Sequence, residues 1–158
     1  MTMRKSLKFA AFAALGLGLV ATGALAADVM HNGQDNPKSP FASSVYVPAG
    51  YDTYYISGSA GKGADTAAQT AATLDSLKAQ LAKLGLTFGD VVQAHVFLVG
   101  DANKGGKMDF AGMNSSWFKE FGTADQPNKP ARAAFQVAAL AGADNLVEIE
   151  FIAVKKAH

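Results

Sequence analysis

The segment from Asp65 to Gly85 constrains the fold more than any other part of this sequence. Between these residues apolar side chains recur at steps of three and four, as on one face of an α-helix: Ala67, Ala71, Leu74, Leu77, Leu81 and Leu84. Asp65 or Thr66 is placed to cap the first turn, and Gly85 is placed to end the helix in the left-handed conformation. A helix with one apolar face has to bury that face against other elements. The stripe is therefore interpreted as core and not as a cofactor site.

Short runs rich in β-branched and aromatic residues flank this helix on both sides. Two runs precede it, in SVYVPAG and DTYYISG, and the turn residues between them favour a hairpin. A strand over residues 90–100, a second amphipathic helix over 108–121 and two strands over 131–138 and 146–154 follow. The predicted order is β-β-α-β-α-β-β in one α+β domain, residues 44–158, with a sheet packed on two helices. Residues 27–43 are predicted to form an irregular leader.

The first 26 residues have the pattern of a secretory signal peptide. Arg4, Lys5 and Lys8 precede an apolar run that ends in the small-residue pattern Ala24-Leu25-Ala26. The run of about a dozen residues is shorter than the roughly 20 that span a bilayer, which disfavours an uncleaved anchor helix. We expect cleavage after Ala26 and export to the periplasm or the medium, without membrane association afterwards.

Composition and spacing disfavour several classes of function. Fourteen basic and thirteen acidic residues provide no field that would attract a nucleic acid. The chain has no cysteine, and therefore no disulfide and no thiolate ligand or nucleophile. His31, His95 and His158 do not form a metal-binding pattern, so no metal is expected. The glycine-rich loop 58–65 lacks the phosphate-binding patterns, and Ser57 lies outside a nucleophile elbow.

One arginine lies near the start of an otherwise apolar strand, in KPARAAFQVAAL. Strand alternation puts Arg132 and Ala134 on one face, while Glu148 and Glu150 of the last strand face away from the core. If these strands are neighbours, the guanidinium and a carboxylate share one side of the sheet. One interpretation is an Arg–Glu ion pair, solvated or between subunits. The other is an anion site, in which the guanidinium binds a ligand carboxylate and the small residues Ala133 and Ala134 leave room for it.

Four segments in this order, GDVVQAHVFLVGD, MDFAGMN, KPARAAFQVAAL and LVEIEFIAV, together resemble the RidA family of reactive intermediate deaminases, also called YjgF. The predicted first helix and YYISGS extend the resemblance upstream. It implies an α+β, chorismate-mutase-like protomer that assembles as a homotrimer with pockets at the subunit clefts. It also implies hydrolysis of 2-imino acids, or enamines such as 2-aminoacrylate, to 2-keto acids and ammonia, without a metal or an organic cofactor.

The resemblance also implies roles for particular residues. The family's carboxylate-binding arginine corresponds to Arg132, and its water-associated glutamate corresponds to Glu148. Further substrate-binding positions correspond to Ser57, Gly58, Phe41, Asn114 and Ala134. Two of these depart from the family pattern, because Phe41 replaces a tyrosine and Ala134 replaces a cysteine. The chain is also longer than the family pattern around VPAGYD and in GDANKGGKM.

Two functional hypotheses follow. The first is an exported, trimeric imine and enamine deaminase in which Arg132 holds the substrate carboxylate and Glu148 positions a water molecule. An imine carbon is already electrophilic, so the protein has only to hold the substrate, place the water and stabilise charge during proton transfer. The second is a non-catalytic protein that binds a small carboxylate, such as a 2-imino or 2-keto acid, in the same clefts, which Phe41 favours. A ribonuclease activity is disfavoured by the near-neutral charge and the signal peptide.

Overall fold

The computed structural model describes residues 27–157. The expected signal peptide, residues 1–26, and His158 lie outside this range. Within it, six strands and two α-helices form the framework: β1 (Met30–Asn32), β2 (Ser44–Tyr46), β3 (Tyr51–Ser59), α1 (Thr66–Lys83), β4 (Val91–Val99), α2 (Phe110–Trp117), β5 (Ala131–Val137) and β6 (Val147–Lys156). The predicted order β-β-α-β-α-β-β is confirmed for β2 to β6, and β1 precedes it within the segment predicted to be a leader.

Helix α1 forms where the sequence predicts it. The Asp65 carboxylate accepts a hydrogen bond from the Ala68 amide at 2.8 Å and so caps the first turn. The helix ends before Gly85, whose φ of +68° is the left-handed conformation that glycine adopts without strain. Leu74, Leu77 and Leu81 are buried as predicted. Leu84, which the spacing also placed in the apolar stripe, is the C-cap and is exposed.

The main sheet has the strand order β3-β6-β4-β5. Strands β4 and β5 run parallel, whereas β6 is antiparallel to both of its neighbours. Both helices lie on one face of this sheet, which we call the helix face, and Trp117, Phe121 and Phe151 pack in the core between the layers. We call the opposite side the open face. Among residues 27–157, no helix combines the length and apolar character needed to cross a membrane.

The predicted hairpin between the strands before α1 is wrong. Strand β2 pairs with β1, with Asn32 opposite Ser44, whereas β3 pairs with β6. The chain does turn between them, at Gly50 with a φ of +89°, but it passes from the small sheet into the main sheet there. A polar three-residue strand gives almost no sequence signal, which is why β1 and its pairing were missed.

Candidate active site

Arg132 extends from β5 on the helix face. Its backbone is aligned with Ala94 of β4, whose side chain is fully buried on that face. The guanidinium reaches α2, where Nη2 donates a hydrogen bond to Asn114 Oδ1 at 2.8 Å and Nη1 lies 3.5 Å from Met113 Sδ. Two of the guanidinium's five N–H groups are thereby occupied and the plane of the group is fixed.

Three aromatic rings surround this guanidinium. Its Cζ atom lies 4.6 Å from the ring centre of Trp117, 5.7 Å from that of Phe41 and 5.8 Å from that of Phe110. Trp117 is fully buried, whereas Phe41 and Phe110 are 38% and 40% exposed. A cation over an aromatic ring is stabilised electrostatically. The guanidinium thus contacts a buried ring, Trp117, and lies near two partly exposed rings, Phe41 and Phe110.

The guanidinium has no anionic partner among the described residues of its own protomer. Within residues 27–157, no carboxylate oxygen lies within 4 Å of Arg132, so the Arg–Glu ion pair does not form inside one protomer. Burial lowers the pKa of Arg132 to about 10, so the group still carries its charge at neutral pH. A cation that has lost water without gaining a counter-ion is unfavourable until an anion binds. This arrangement is suited to gripping a ligand carboxylate.

The segment before β2 brings Phe41 to the arginine. The residue before it, Pro40, accepts a hydrogen bond through its carbonyl from Trp117 Nε1 at 2.7 Å. The residue after it, Ala42, donates through its amide to the Pro130 carbonyl at 3.0 Å. Phe41 is therefore held on both sides, by α2 and by the start of β5.

Glu148 lies on the open face. It is opposite Phe97 of β4, and a Cβ atom at Gly58 of β3 would overlap its carboxylate, so the close approach of these strands needs glycine. Within residues 27–157, the Glu148 carboxylate makes no hydrogen bond and no ion pair. Its neighbour on that face, Glu150, instead pairs with His95 Nδ1 at 2.8 Å. Glu148 is thus a free carboxylate available to another group.

The expectation that Arg132 and Glu148 share one side of the sheet is wrong. Strand β4 separates β5 from β6, and the partners of Arg132 along that row are the core residues Ala94 and Phe151. Glu148 lies three positions further along, on the opposite face. Two strand spacings and three residue rises put their Cα atoms roughly 14 Å apart. Within one protomer the backbone layer of the sheet therefore separates the two side chains.

The residues implied by the resemblance therefore fall into two groups. On the helix face, Phe41 and Asn114 contact Arg132, while Ala134 packs against the core. On the open face, Gly58 contacts Glu148, and the exposed Ser57 lies beside Glu150 in a depression of about 220 Å³.

The sequence did not indicate the part that Trp117 plays. Helical spacing places it only on a face of the predicted second helix, residues 108–121. The same spacing puts Asn114 and Trp117 three apart on one face of α2, where both contact the arginine.

A further depression lies away from both groups. It measures about 400 Å³ and lies where β1 approaches the main sheet, lined in part by His31, Tyr51, Asp90 and Asn128. Neither Arg132 nor Glu148 contributes to it. Among the residues that the structure describes, no cluster of three or more histidine and acidic side chains could hold a metal ion.

Known proteins share this sequence pattern. Residues 36–155 match the profile of the family described as Endoribonuclease L-PSP. A RutC family protein of Haemophilus influenzae is 42% identical over 93 residues, and the 2-iminobutanoate/2-iminopropanoate deaminase of Escherichia coli K12 is 41% identical over 93 residues. The chain belongs to the RidA/YjgF family. Each of these two matches covers 59% of this chain and 66% of the relative's length.

Solved structures of the RidA/YjgF family have the same fold. A YjgF family protein of Neisseria meningitidis superposes with a TM-score of 0.56 at 29% identity, covering 83% of this chain and 98% of that one. Escherichia coli TdcF, solved with bound serine, superposes with a TM-score of 0.56 at 30% identity, covering 77% and 96%. The α+β, chorismate-mutase-like fold implied by the resemblance is thereby confirmed.

Proposed function

We propose that this protein hydrolyses 2-imino acids, or their enamine tautomers, to 2-keto acids and ammonia in clefts between the subunits of a homotrimer. The observation that carries the proposal is the buried, charged Arg132, which has no counter-ion among residues 27–157 of its own protomer. Relatives at about 40% identity named 2-iminobutanoate/2-iminopropanoate deaminase support the reaction class.

Arg132 holds the substrate carboxylate. Asn114 occupies one terminal nitrogen at 2.8 Å, and Trp117 supports the guanidinium from below, so the remaining N–H groups are oriented before the ligand arrives. A planar guanidinium binds a carboxylate through two parallel hydrogen bonds, which fixes the position of C2 relative to the arginine. Holding the reactant in one orientation supplies a large part of the acceleration.

Glu148 comes from a neighbouring subunit. Within one protomer it lies on the sheet face opposite to Arg132, so only a second copy brings a Glu148 carboxylate to a substrate held by Arg132. No side chain among residues 27–157 of its own protomer binds this carboxylate, so both oxygens can accept hydrogen bonds from a water molecule. Gly58 keeps the carboxylate accessible, because any side chain there would displace it.

The chemistry balances with one carboxylate as proton carrier. The water oxygen bonds to C2 while the C=N π pair moves to nitrogen, and Glu148 takes a proton from the water and passes it to that nitrogen. The resulting carbinolamine then loses its hydroxyl proton to Glu148. Nitrogen receives this proton as the C–N bond breaks, and ammonia leaves with the 2-keto acid behind. General acid–base catalysis of this kind contributes typically about 10²- to 10⁴-fold.

Subunit complementation tests the shared cleft. Arg132→Met and Glu148→Gln proteins, each purified alone, should be inactive towards 2-iminobutanoate generated in situ. After unfolding and refolding together in equal amounts, about one site in four combines an intact Arg132 with an intact Glu148, because each cleft draws on two subunits. Recovery of roughly a quarter of the activity is expected. No recovery in mixed oligomers would refute a site shared between subunits.

The absence of a hydroxyl on Phe41 favours a second candidate, a binding protein without catalysis. Its ring lies 5.7 Å from the Arg132 Cζ, where the family pattern has a tyrosine. A binder predicts Arg132-dependent calorimetric binding of 2-keto acids together with no acceleration of imine hydrolysis. A rate increase that Arg132→Met abolishes excludes this candidate.

Export is part of the proposal, supported by the signal-peptide pattern of residues 1–26. N-terminal sequencing of the protein recovered from the periplasm or medium should begin at Ala27. Full-length protein retained in the cytoplasm would contradict it.

A further inference from the structure

We infer that Lys129 is a positioning residue that latches residues 27–43 onto the body of the protein and so seats Phe41 beside Arg132. Lys129 lies three residues before Arg132, and only 4% of it is exposed. A lysine this deeply buried is uncommon unless specific partners satisfy its ammonium group. Here all of the partners come from residues 27–43.

Four hydrogen bonds join Lys129 to that segment. Its Nζ donates to the carbonyls of Gln34 at 3.2 Å and Asn36 at 3.0 Å. Its backbone amide donates to Gln34 Oε1 at 2.7 Å, and its carbonyl lies 2.7 Å from His31 Nδ1. Both the backbone and the side chain of one residue thus hold three positions of the N-terminal segment.

The body of the protein is shaped to accept this lysine. A Cβ atom at Gly122 would overlap Lys129 Cε, and Gly122 has a φ of +75°, so glycine is favoured there both by backbone conformation and by the lysine stem. Within residues 27–157, no carboxylate lies within 4 Å of the ammonium. Its charge is therefore satisfied mainly by these two carbonyls.

The hydrogen bonds of Lys129 to Gln34 and Asn36, which we call the latch, lie a few residues before Phe41 at the proposed substrate site. Beyond Asn36 the segment reaches Pro40, whose carbonyl accepts from Trp117 Nε1, and then Phe41. Without the ammonium, the segment is held by the backbone hydrogen bonds of residue 129 to His31 and Gln34 and by the contacts around Phe41. Ligand affinity scales with the fraction of molecules in the competent conformation, so a loosened segment weakens binding without changing the chemistry.

Trp117 reports on the latch because it is the single tryptophan of the sequence. In Lys129→Met, which keeps an unbranched stem but removes the ammonium, we expect a red-shifted Trp117 emission and stronger quenching by acrylamide. We also expect the Kd for 2-oxobutanoate to rise about tenfold. This is the value that results if the fraction of molecules with Phe41 held beside Arg132 falls to about one tenth. The catalytic constant at saturating substrate should change much less than KM.

The matched control is Lys38→Met, which removes the same charge from an exposed position of the same segment. It should leave the emission, the quenching and the Kd unchanged. If Lys129→Met folds poorly, Gln34→Ala removes one acceptor of the latch and should shift all three quantities in the same direction by less.

Two results would overturn the inference. One is a Lys129→Met protein whose Trp117 emission and quenching equal those of the Lys38→Met control. The other is a loosened segment with an unchanged Kd, which would disconnect the latch from the site. The expected change in the Kd rests on the proposed function, but the expected change in Trp117 fluorescence does not. If the unsubstituted protein binds no 2-keto acid while Lys129→Met still exposes Trp117, the latch stands and the proposed function fails.

Discussion

Replacing Arg132 with methionine should weaken ligand binding strongly without unfolding the protein. Burial lowers the pKa of Arg132 from its ordinary value to about 10, and one pKa unit corresponds to about 1.4 kcal/mol, so desolvation of the charged group costs on the order of 3 kcal/mol. Because this group is basic and its folded pKa is lowered, the cost is fully present at neutral pH. It disappears only as the pH rises above about 10.

Other contacts offset this cost. The hydrogen bond to Asn114 contributes about 1.5 kcal/mol or more, and the desolvated contact with Trp117 contributes about 2 kcal/mol. Arg132→Met removes the cost and these gains together, while its thioether packs against Met113 and Trp117. We therefore expect the free energy of unfolding to change by less than about 1 kcal/mol, whereas removing one partner of a buried charge pair costs about 2 to 5 kcal/mol of binding.

The corresponding loss of affinity for 2-oxobutanoate is at least about 30-fold. Calorimetric titration measures this loss, thermal unfolding measures the stability, and the appearance of keto acid from imine generated in situ measures the activity. Lys119→Met, which removes one positive charge from an exposed position, is the matched control and should bind as the unsubstituted protein does. Unchanged affinity in Arg132→Met would refute the carboxylate site. A stability loss above about 3 kcal/mol would show instead that the arginine serves the fold.

Three further substitutions and conditions test the two halves of the site. Phe41→Tyr adds a hydroxyl beside the guanidinium and should improve the affinity for 2-oxobutanoate by about two- to tenfold, the value of one net hydrogen bond. If calorimetry shows no gain, the hydroxyl does not reach the ligand. Gly58→Ala should displace the Glu148 carboxylate and lower turnover more than tenfold. The affinity for 2-keto acids should stay within about twofold, because Arg132 is unchanged. Equal losses of turnover and affinity would contradict separate roles for the two residues. The affinity for 2-oxobutanoate should be constant between about pH 7 and pH 9 and should fall above about pH 10, because burial lowers the pKa of Arg132 to about 10 and the ligand needs the protonated group. Calorimetry at several pH values measures this dependence. A decline centred near neutral pH would mean that another group binds the carboxylate.

The sequence predicted elements best where the signals are local. The stripe of α1, its Asp65 cap and the Gly85 stop all lie within 21 consecutive residues and depend on no distant partner. Alternation in β5 likewise assigned Arg132 and Ala134 correctly to one face. Each of these follows from the geometry of a single element, which the sequence pattern specifies directly.

The sequence could not predict which strands are neighbours. Alternation shows that Glu148 and Glu150 face away from the core, but it does not show that β4 lies between β5 and β6. Once β4 is in place, Arg132 is aligned with Ala94, and Ala94 is aligned with Phe151. Since side chains aligned across strands share a face, the arginine belongs with the buried aromatic row and the glutamates belong with the other side. A pairing decided over about 60 residues leaves no local trace in either strand.

Among the described residues, the Arg132 guanidinium and the Glu148 carboxylate have no charged partner, and the fold holds them apart. Arg132 has given up water without gaining an anion, and Glu148 carries a carboxylate that no described side chain binds. Had the two shared a face within reach, they would neutralise each other and neither would be available to a ligand. Opposite faces of one sheet prevent this, because side chains on the two faces of a strand cannot meet through the backbone layer. The same separation means that the proposed reaction requires contact between copies of the chain, so reactivity would depend on assembly and would be lost on dissociation even if every protomer stayed folded.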